Sequence, residues 1–295
     1  MREPPLKSAT IARAATLVSA GSLTLVVMAT LVKYLGNDLP AMEILFFRSA
    51  IGFLFVLPLF ARNPLEPFRT KRPGMHLVRG AIGAVGNACF FWTITSMLLA
   101  DAMALQFSRP LFMIPLAVLL LGEHPGLRRT AVAMIGFLGI LLYARPFTGG
   151  FEPSALVGAL GALAGGLVVI CIKRLATTEP TRVIMFYYAF WNAVFALVPA
   201  ALLWVTPSLP QLALLVVVAF LGIAGQGMIT HGLGMGEATV LVPLDYSRIV
   251  YSAILGYLLF SEIPGPLSFA GMGLIVACSL YLVITEKQRS KASRD

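Results

Sequence analysis

The chain is built from apolar blocks of about twenty residues, and that block length dictates most of what it can become. The blocks run over residues 14–35, 42–61, 75–96, 101–121, 128–145, 154–174, 183–204, 211–231, 238–260 and 266–284. A helix of roughly 20 residues crosses a hydrocarbon core about 30 Å thick. Lipid offers backbone N–H and C=O groups no partners, so such spans are helices and not open strands. With 58% hydrophobic and 12% charged residues, the chain also lacks the polar surface of a soluble domain, which carries about 25% charge. The expected fold is all-α and integral to the membrane, with ten transmembrane helices.

Turn chemistry separates the blocks. Gly36-Asn37-Asp38 precedes Pro40, Glu123-His124-Pro125-Gly126 follows the fourth block, Phe147 to Pro153 follows the fifth, and Pro207-Ser208-Leu209-Pro210 follows the seventh. Arg2, Lys7 and Arg13 before an apolar stretch resemble the start of a signal peptide. The stretch is too long for that and has a counterpart later in the chain, so it reads as a retained first span.

Basic residues orient the spans. On the side of the N-terminus lie Arg2, Lys7, Arg13, Arg62, Arg69, Lys71, Arg72, Arg79, Arg128, Arg129, Lys173, Arg174, Arg182, Lys287, Arg289, Lys291 and Arg294, which is 17. The other side has two, Lys33 and Arg145. Both termini are therefore expected in the cytoplasm of a bacterial inner membrane, which requires an even number of spans. The net charge of +9 follows from this bias. No folded basic face of the kind that grips nucleic acid is discernible, and no nucleic-acid partner is expected.

The chain repeats itself. At a shift of 139 residues, Gly83-x-x-Gly86-Asn87 falls on Gly222-x-x-Gly225-Gln226, Leu105-Gln106-Phe107-Ser108-Arg109 on Leu244-Asp245-Tyr246-Ser247-Arg248, and Glu123-x-Pro125-Gly126 on Glu262-x-Pro264-Gly265. Without a gap, 11 of the 44 positions from 83 to 126 are identical to their partners. At a shift of 140, Gly21, Lys33, Pro40, Phe46 and Leu57 fall on Gly161, Lys173, Pro180, Phe186 and Leu197. The chain thus divides into residues 1–145 and 146–295, five spans each, within one transmembrane unit. An odd number of spans inverts the second half relative to the first. Inverted repeats belong above all to secondary transporters, where two similar halves present one central site to either side in turn.

Ionisable residues inside spans are costly and face the bundle interior. Arg48, Arg109, Arg248 and Asp245 lie roughly 10–15 Å into their spans at 1.5 Å per residue. Arg109 and Arg248 are repeat equivalents. Guanidinium groups there would bind a substrate carboxylate or phosphate. Equally, Asp245 and Arg248 stand i,i+3 on one helix and would neutralise each other, and Arg48 would pair with Glu43 or cap backbone carbonyls. Asp245 is the deep carboxylate, hence the candidate for proton coupling. Trp191, mid-span beside Asn192, and Tyr246 are candidate cavity residues, whereas Trp92 and Trp204 fit an interfacial belt. Gly80, Gly83, Gly86 and Gly161-x-x-x-Gly165 read as close helix-packing positions.

Cys89, Cys171 and Cys278 have no metal-ligand or disulfide spacing and read as small buried residues. No metal and no cofactor is expected. Neither a Ser-His-Asp set, an HExxH nor a GxGxxG in context is discernible, so an enzyme is not expected.

The run from Phe107-Ser108-Arg109-Pro110 to Leu121-Gly122-Glu123 and Gly136-Phe137-Leu138-Gly139, with its partner from Leu244 to Arg248, Phe260-Ser261-Glu262 and Gly271-x-Gly273, resembles the drug/metabolite transporter superfamily, in particular its EamA-type ten-helix members. The Arg48 region is similar too, and the likeness covers nearly the whole chain. Pro110 is matched by Ile249, so the family-like proline occurs once. The resemblance implies an inner-membrane carrier with a central cavity. Amino-acid export, of aromatic or other neutral substrates, is the first expectation. Uptake of S-adenosylmethionine or another larger metabolite is the second, and a channel or non-transporting membrane scaffold the third. The expected partners are a small-molecule substrate and the bilayer. A single copy of the chain suffices for this reading.

Overall fold

A computed structural model describes residues 8–121, 127–144, 152–175, 178–235 and 244–292. Among these residues all regular structure is helical. The helices are α1 (Ser8–Leu35), α2 (Ala41–Val56), α3 (Pro73–Ser96), α4 (Leu99–Gln106), α5 (Arg109–Leu121), α6 (Leu127–Ala144), α7 (Pro153–Leu175), α8 (Thr181–Leu202), α9 (Leu209–Met235), α10 (Ser247–Phe260) and α11 (Pro266–Ala292). Two short 3-10 turns, Leu57–Phe60 and Pro67–Arg69, follow α2. The expected turn at Glu123–Gly126, Arg145, and the start of the expected ninth span lie outside the described residues.

Among the described residues six helices are long and apolar enough to cross a membrane: Ala12–Leu35, Ala41–Phe60, Pro73–Ser96, Pro153–Ile172, Arg182–Leu202 and Leu209–Ile229. Thr130–Leu142, Ser247–Phe260 and Pro266–Tyr281 are shorter apolar helices in the expected fifth, ninth and tenth spans. The fourth expected span, 101–121, is not one helix. It is α4 and α5, separated at Phe107 and Ser108. Arg79, counted above with the loop charges, sits inside α3 and is buried. Without it the loop bias is 16 against two, by 17 − 1.

The outward faces carry large apolar residues such as Leu54, Leu138, Val198, Phe220, Leu258 and Phe269. In water these would drive aggregation; facing lipid they are in their preferred solvent. Inside, the contacts follow the repeat. The most extensive pairings are α1 with α9, α3 with α7, α2 with α8, and α6 with α11. Exchanging the two halves turns α1/α9, the first and eighth spans, into α7/α3, the sixth and third. It turns α2/α8 and α6/α11 into themselves. The contact of α1 with α10 likewise becomes that of α7 with α4 and α5.

Glycine explains the two equivalent crossings. Between lipid-facing helices the hydrophobic effect supplies little attraction, so close packing of small residues carries the association. A Cβ built on Gly21 would lie 2.7 Å from Ile229 Cγ1 and 2.9 Å from the Gly225 carbonyl oxygen. At the equivalent crossing, a Cβ on Gly161 would lie 3.1 Å from Cys89 Cβ and 3.4 Å from the Gly86 carbonyl oxygen. A Gly21→Leu substitution forces α1 off α9, and overpacking of this kind costs about 1–3 kcal/mol. It is expected to lower the thermal unfolding midpoint in detergent. Gly273→Leu, where no atom lies within 4 Å of a built Cβ, is expected to leave it unchanged.

Candidate functional site

The interrupted fourth span positions the site. α4 ends at Gln106, and Phe107 (φ −78°, ψ 0°) leaves the helical path. A carbonyl freed inside a membrane bundle needs a partner from a neighbour. Ser279 of α11 supplies it, its hydroxyl donating to Phe107 O at 2.7 Å. Ser108 turns its own hydroxyl back to Leu105 O at 2.6 Å. In the second half, Tyr246 is a turn residue ahead of α10 in the register of Phe107. The two equivalent rings stack, with centroids 4.3 Å apart and planes at 25°. Tyr246 lies beside the same Ser279 hydroxyl. The two interruptions therefore meet face to face, and Arg109 and Arg248 leave from the first turns of α5 and α10 on either side.

Arg248 pairs with Asp245 at 2.5 Å, and its guanidinium lies 5.9 Å from the Phe107 ring. Asp245 also accepts the Ser22 hydroxyl of α1 at 2.8 Å. Arg109 remains exposed, donates to Gln106 Oε1 at 2.7 Å, and has Arg248, Asp245 and Tyr188 as electrostatic neighbours. It lies so close to α7 that a Cβ on Gly165 would be 2.6 Å from its Nε. The absent side chain at Gly165 is what admits the guanidinium.

Arg48 does not pair with Glu43. It lies 5.5 Å from the Phe91 ring, rests against Gly222 of α9, and has the Tyr188 hydroxyl as an electrostatic neighbour. Glu43 is buried and accepts the Val205 backbone N–H at 3.0 Å. Tyr188 is the hub that joins the two sides. Asn87 donates to its hydroxyl at 2.9 Å and to Asn192 Oδ1 at 2.8 Å. The Arg79 guanidinium lies 4.8 Å from its ring centre. Sequence reasoning missed Arg79 because it lies near a basic loop. It missed Tyr188 because nothing marks one tyrosine of a pair as inward. Asn87, next to the repeated glycines, was the available signal. Trp191 lies against α3: its Cβ abuts Gly80 and its ring stacks on Phe195 at 5.7 Å.

Several donors here are buried without a hydrogen-bond partner: Arg48 Nε, Arg79 Nε, Gln106 Nε2, Trp191 Nε1, Ser247 Oγ and Arg248 Nε. Among the described residues no group of three or more His, Cys, Asp or Glu is placed to hold a metal ion. The three cysteines are buried free thiols.

At another place the helix ends are tied together. Ser261 adopts φ 55° after α10, and this left-handed turn brings Glu262 back over Gly256. Glu262 ion-pairs with Lys33 at the end of α1 and accepts the Leu99 N–H of α4 at 2.8 Å. Lys33 also donates to Met97 O at 2.5 Å. The pair thus joins four helix ends beside a cavity of about 500 Å³ that includes Asp101, Glu152 and Ser268 in its lining.

A bundle of apolar helices around a polar, arginine-rich interior describes a multi-pass membrane protein that handles a small molecule. The sequence pattern of the EamA-like transporter family matches residues 12–145 and again 153–285. The chain belongs to that family. It is 35% identical over 271 residues to a pseudopaline exporter of Pseudomonas aeruginosa, covering 90% of this chain and 94% of that one. It is 32% identical over 256 residues to an S-adenosylmethionine uptake transporter of Rickettsia felis, covering 87% of each. A riboflavin transporter of Rhizobium johnstonii is 27% identical over 85% of this chain and 84% of its own. A solved crystal structure, 20% identical, has the same fold, with a TM-score of 0.59 over 93% of this chain and 98% of that one. The protein is a transporter of small metabolites.

Breaking one partner of a buried ion pair strands the other, at about 3–5 kcal/mol. Lys33→Met and Glu262→Gln are each expected to lower the unfolding midpoint. The double variant is expected to recover part of the loss, giving a non-zero coupling in a double-mutant cycle.

Proposed function

We propose that the chain is a secondary carrier working by alternating access, with ten spans arranged as inverted halves, 1–145 and 146–295, in a bacterial inner membrane and both termini in the cytoplasm. The observation that carries this reading is the meeting of the two interrupted helices at Phe107 and Tyr246, with Arg109 and Arg248 beside them. Interrupted helices near mid-membrane, at the interface of two repeats, are where secondary carriers hold substrate. Repeat-equivalent contacts support the same reading, because exchanging the conformations of two like halves is what reverses access.

The substrate is a small metabolite bearing a carboxylate, for which Arg48, Arg109 and Arg248 supply guanidinium groups and Tyr246 an aromatic face. Trp191 contributes its buried indole N–H from the edge of the site. Export of amino acids is one form of this reading. Uptake of S-adenosylmethionine is the second, favoured by identity to carriers of that name. Asp245, paired with Arg248 and Ser22, is the proton-coupling candidate.

Topology is tested with reporter fusions. A green fluorescent protein at the C-terminus is expected to fluoresce and alkaline phosphatase there to be inactive; the reverse removes the reading of both termini in the cytoplasm. Transport is tested in proteoliposomes with labelled phenylalanine, leucine and S-adenosylmethionine. A carrier saturates and shows counterflow, whereas flux proportional to concentration would mark a channel, and no flux a scaffold. Arg109→Gln is expected to cut saturable flux at least about tenfold while leaving folded yield intact. Asp245→Asn is expected to abolish pH-driven flux and spare exchange. Unchanged pH-driven flux would remove Asp245 from coupling.

A further inference from the structure

Four guanidinium groups converge on this interior, and one described carboxylate answers them. Asp245 is committed to Arg248. Arg48, Arg79 and Arg109 are joined through Tyr188, and none has a carboxylate within ion-pair distance among the described residues. Arg109 is moreover an electrostatic neighbour of Arg248. Like charges placed together repel, and the buried member, Arg79, holds its charge where leaving it uncompensated is costly. Such a cluster is retained where something else supplies the negative charge.

Three further observations point the same way. The Nε atoms of Arg48, Arg79 and Arg248 are buried donors without partners, as is the Ser247 hydroxyl. α5 begins at Arg109 and α10 at Ser247, so two helix N-termini open on the same place. Each presents the positive end of a helix dipole, which favours anions. Finally, Gly165 and Gly222 make room for Arg109 and Arg48, where any side chain would crowd the guanidinium.

We infer that the transported molecule is a polyanion, carrying two or more carboxylate or phosphate groups, bound between Arg109 and Arg248 on one side and Arg48 and Arg79 on the other. This rests on the carrier reading above but sets aside both of the substrates named there. Among the described residues, four guanidiniums less Asp245 leave a net charge of about three to be answered. A neutral amino acid brings one carboxylate and cancels it with its ammonium. S-adenosylmethionine carries a sulfonium besides its ammonium and is a net cation. Both are disfavoured relative to a di- or tricarboxylate or a phosphate ester. Guanidinium forks accept either anion type bidentately, so the two are separated by experiment.

The test is thermal unfolding of the purified full-length protein in detergent with citrate, succinate, glycerol 3-phosphate, L-phenylalanine or S-adenosylmethionine, at millimolar concentration and matched ionic strength. A ligand of the native state raises the midpoint in a saturable way. Citrate or succinate is expected to do so if carboxylates are read, glycerol 3-phosphate if phosphate is. The half-saturating concentration is expected to rise at least about tenfold in Arg109→Gln and Arg48→Gln. It is expected to stay the same in Arg128→Gln, whose guanidinium lies over Tyr281 away from the site. Should the Gln variants fail to fold, Arg109→Lys keeps the charge, loses the fork and is expected to weaken binding. The inference is overturned if no anion stabilises the protein saturably, if only phenylalanine or S-adenosylmethionine does, or if anion binding is unchanged in the arginine variants. Saturable anion binding without counterflow in liposomes would sustain the site and refute the carrier reading.

Discussion

An interrupted backbone inside a membrane has to find its hydrogen bonds within the protein, and much of this structure hangs on that requirement at one place. The helix that breaks at Phe107 exposes a carbonyl to apolar surroundings. Ser279 of α11 answers it, and the same hydroxyl meets Tyr246. The last helix of the chain is thereby tied to both interruptions. Because the breaks are equivalent in the two halves, satisfying them at one point brings the halves into register. It also aims two helix N-termini and two arginines at a common interior.

The rest of the interior is held by the small residues that let helices touch. Gly21 against Gly225 and Gly161 against Gly86 bring backbones together at related crossings. Gly165 and Gly222 serve a different end, lodging arginine side chains between helices. Packing and polarity are thus built from one residue type. The glycine pattern that looked like mere helix association also makes the site possible. Lys33 and Glu262 complete the frame by tying the ends of α1, α3, α4 and α10.

Legibility differed from residue to residue. Arg48, Arg109, Arg248 and Asp245 stood out because a charge amid twenty apolar residues has few bland explanations. The Asp245–Arg248 pair followed from i,i+3 spacing. The supposed Arg48–Glu43 pair did not form: five positions apart on a helix places side chains on different faces, and Glu43 instead meets the Val205 N–H. Trp191 was read as a candidate cavity residue, and its Cβ lies against Gly80. A mid-span tryptophan looks the same in sequence whether it meets a void or a glycine. Arg79 escaped notice because positive charge near a helix start is ordinary in a cytoplasmic loop.

Sequence alone determined the membrane setting, the helical class, the duplication and the polar residues that had to turn inward. Those are consequences of block length, hydrogen-bond satisfaction and the expense of charge in lipid, all of which act locally. Only tertiary structure decided that Phe107 stacks on Tyr246, that Tyr188 joins Arg48, Arg79 and Asn87, and that the fourth span is two helices. Each depends on which face of one helix meets which face of another, a hundred or more residues away in the chain. Local pattern carries no record of that choice; packing makes it.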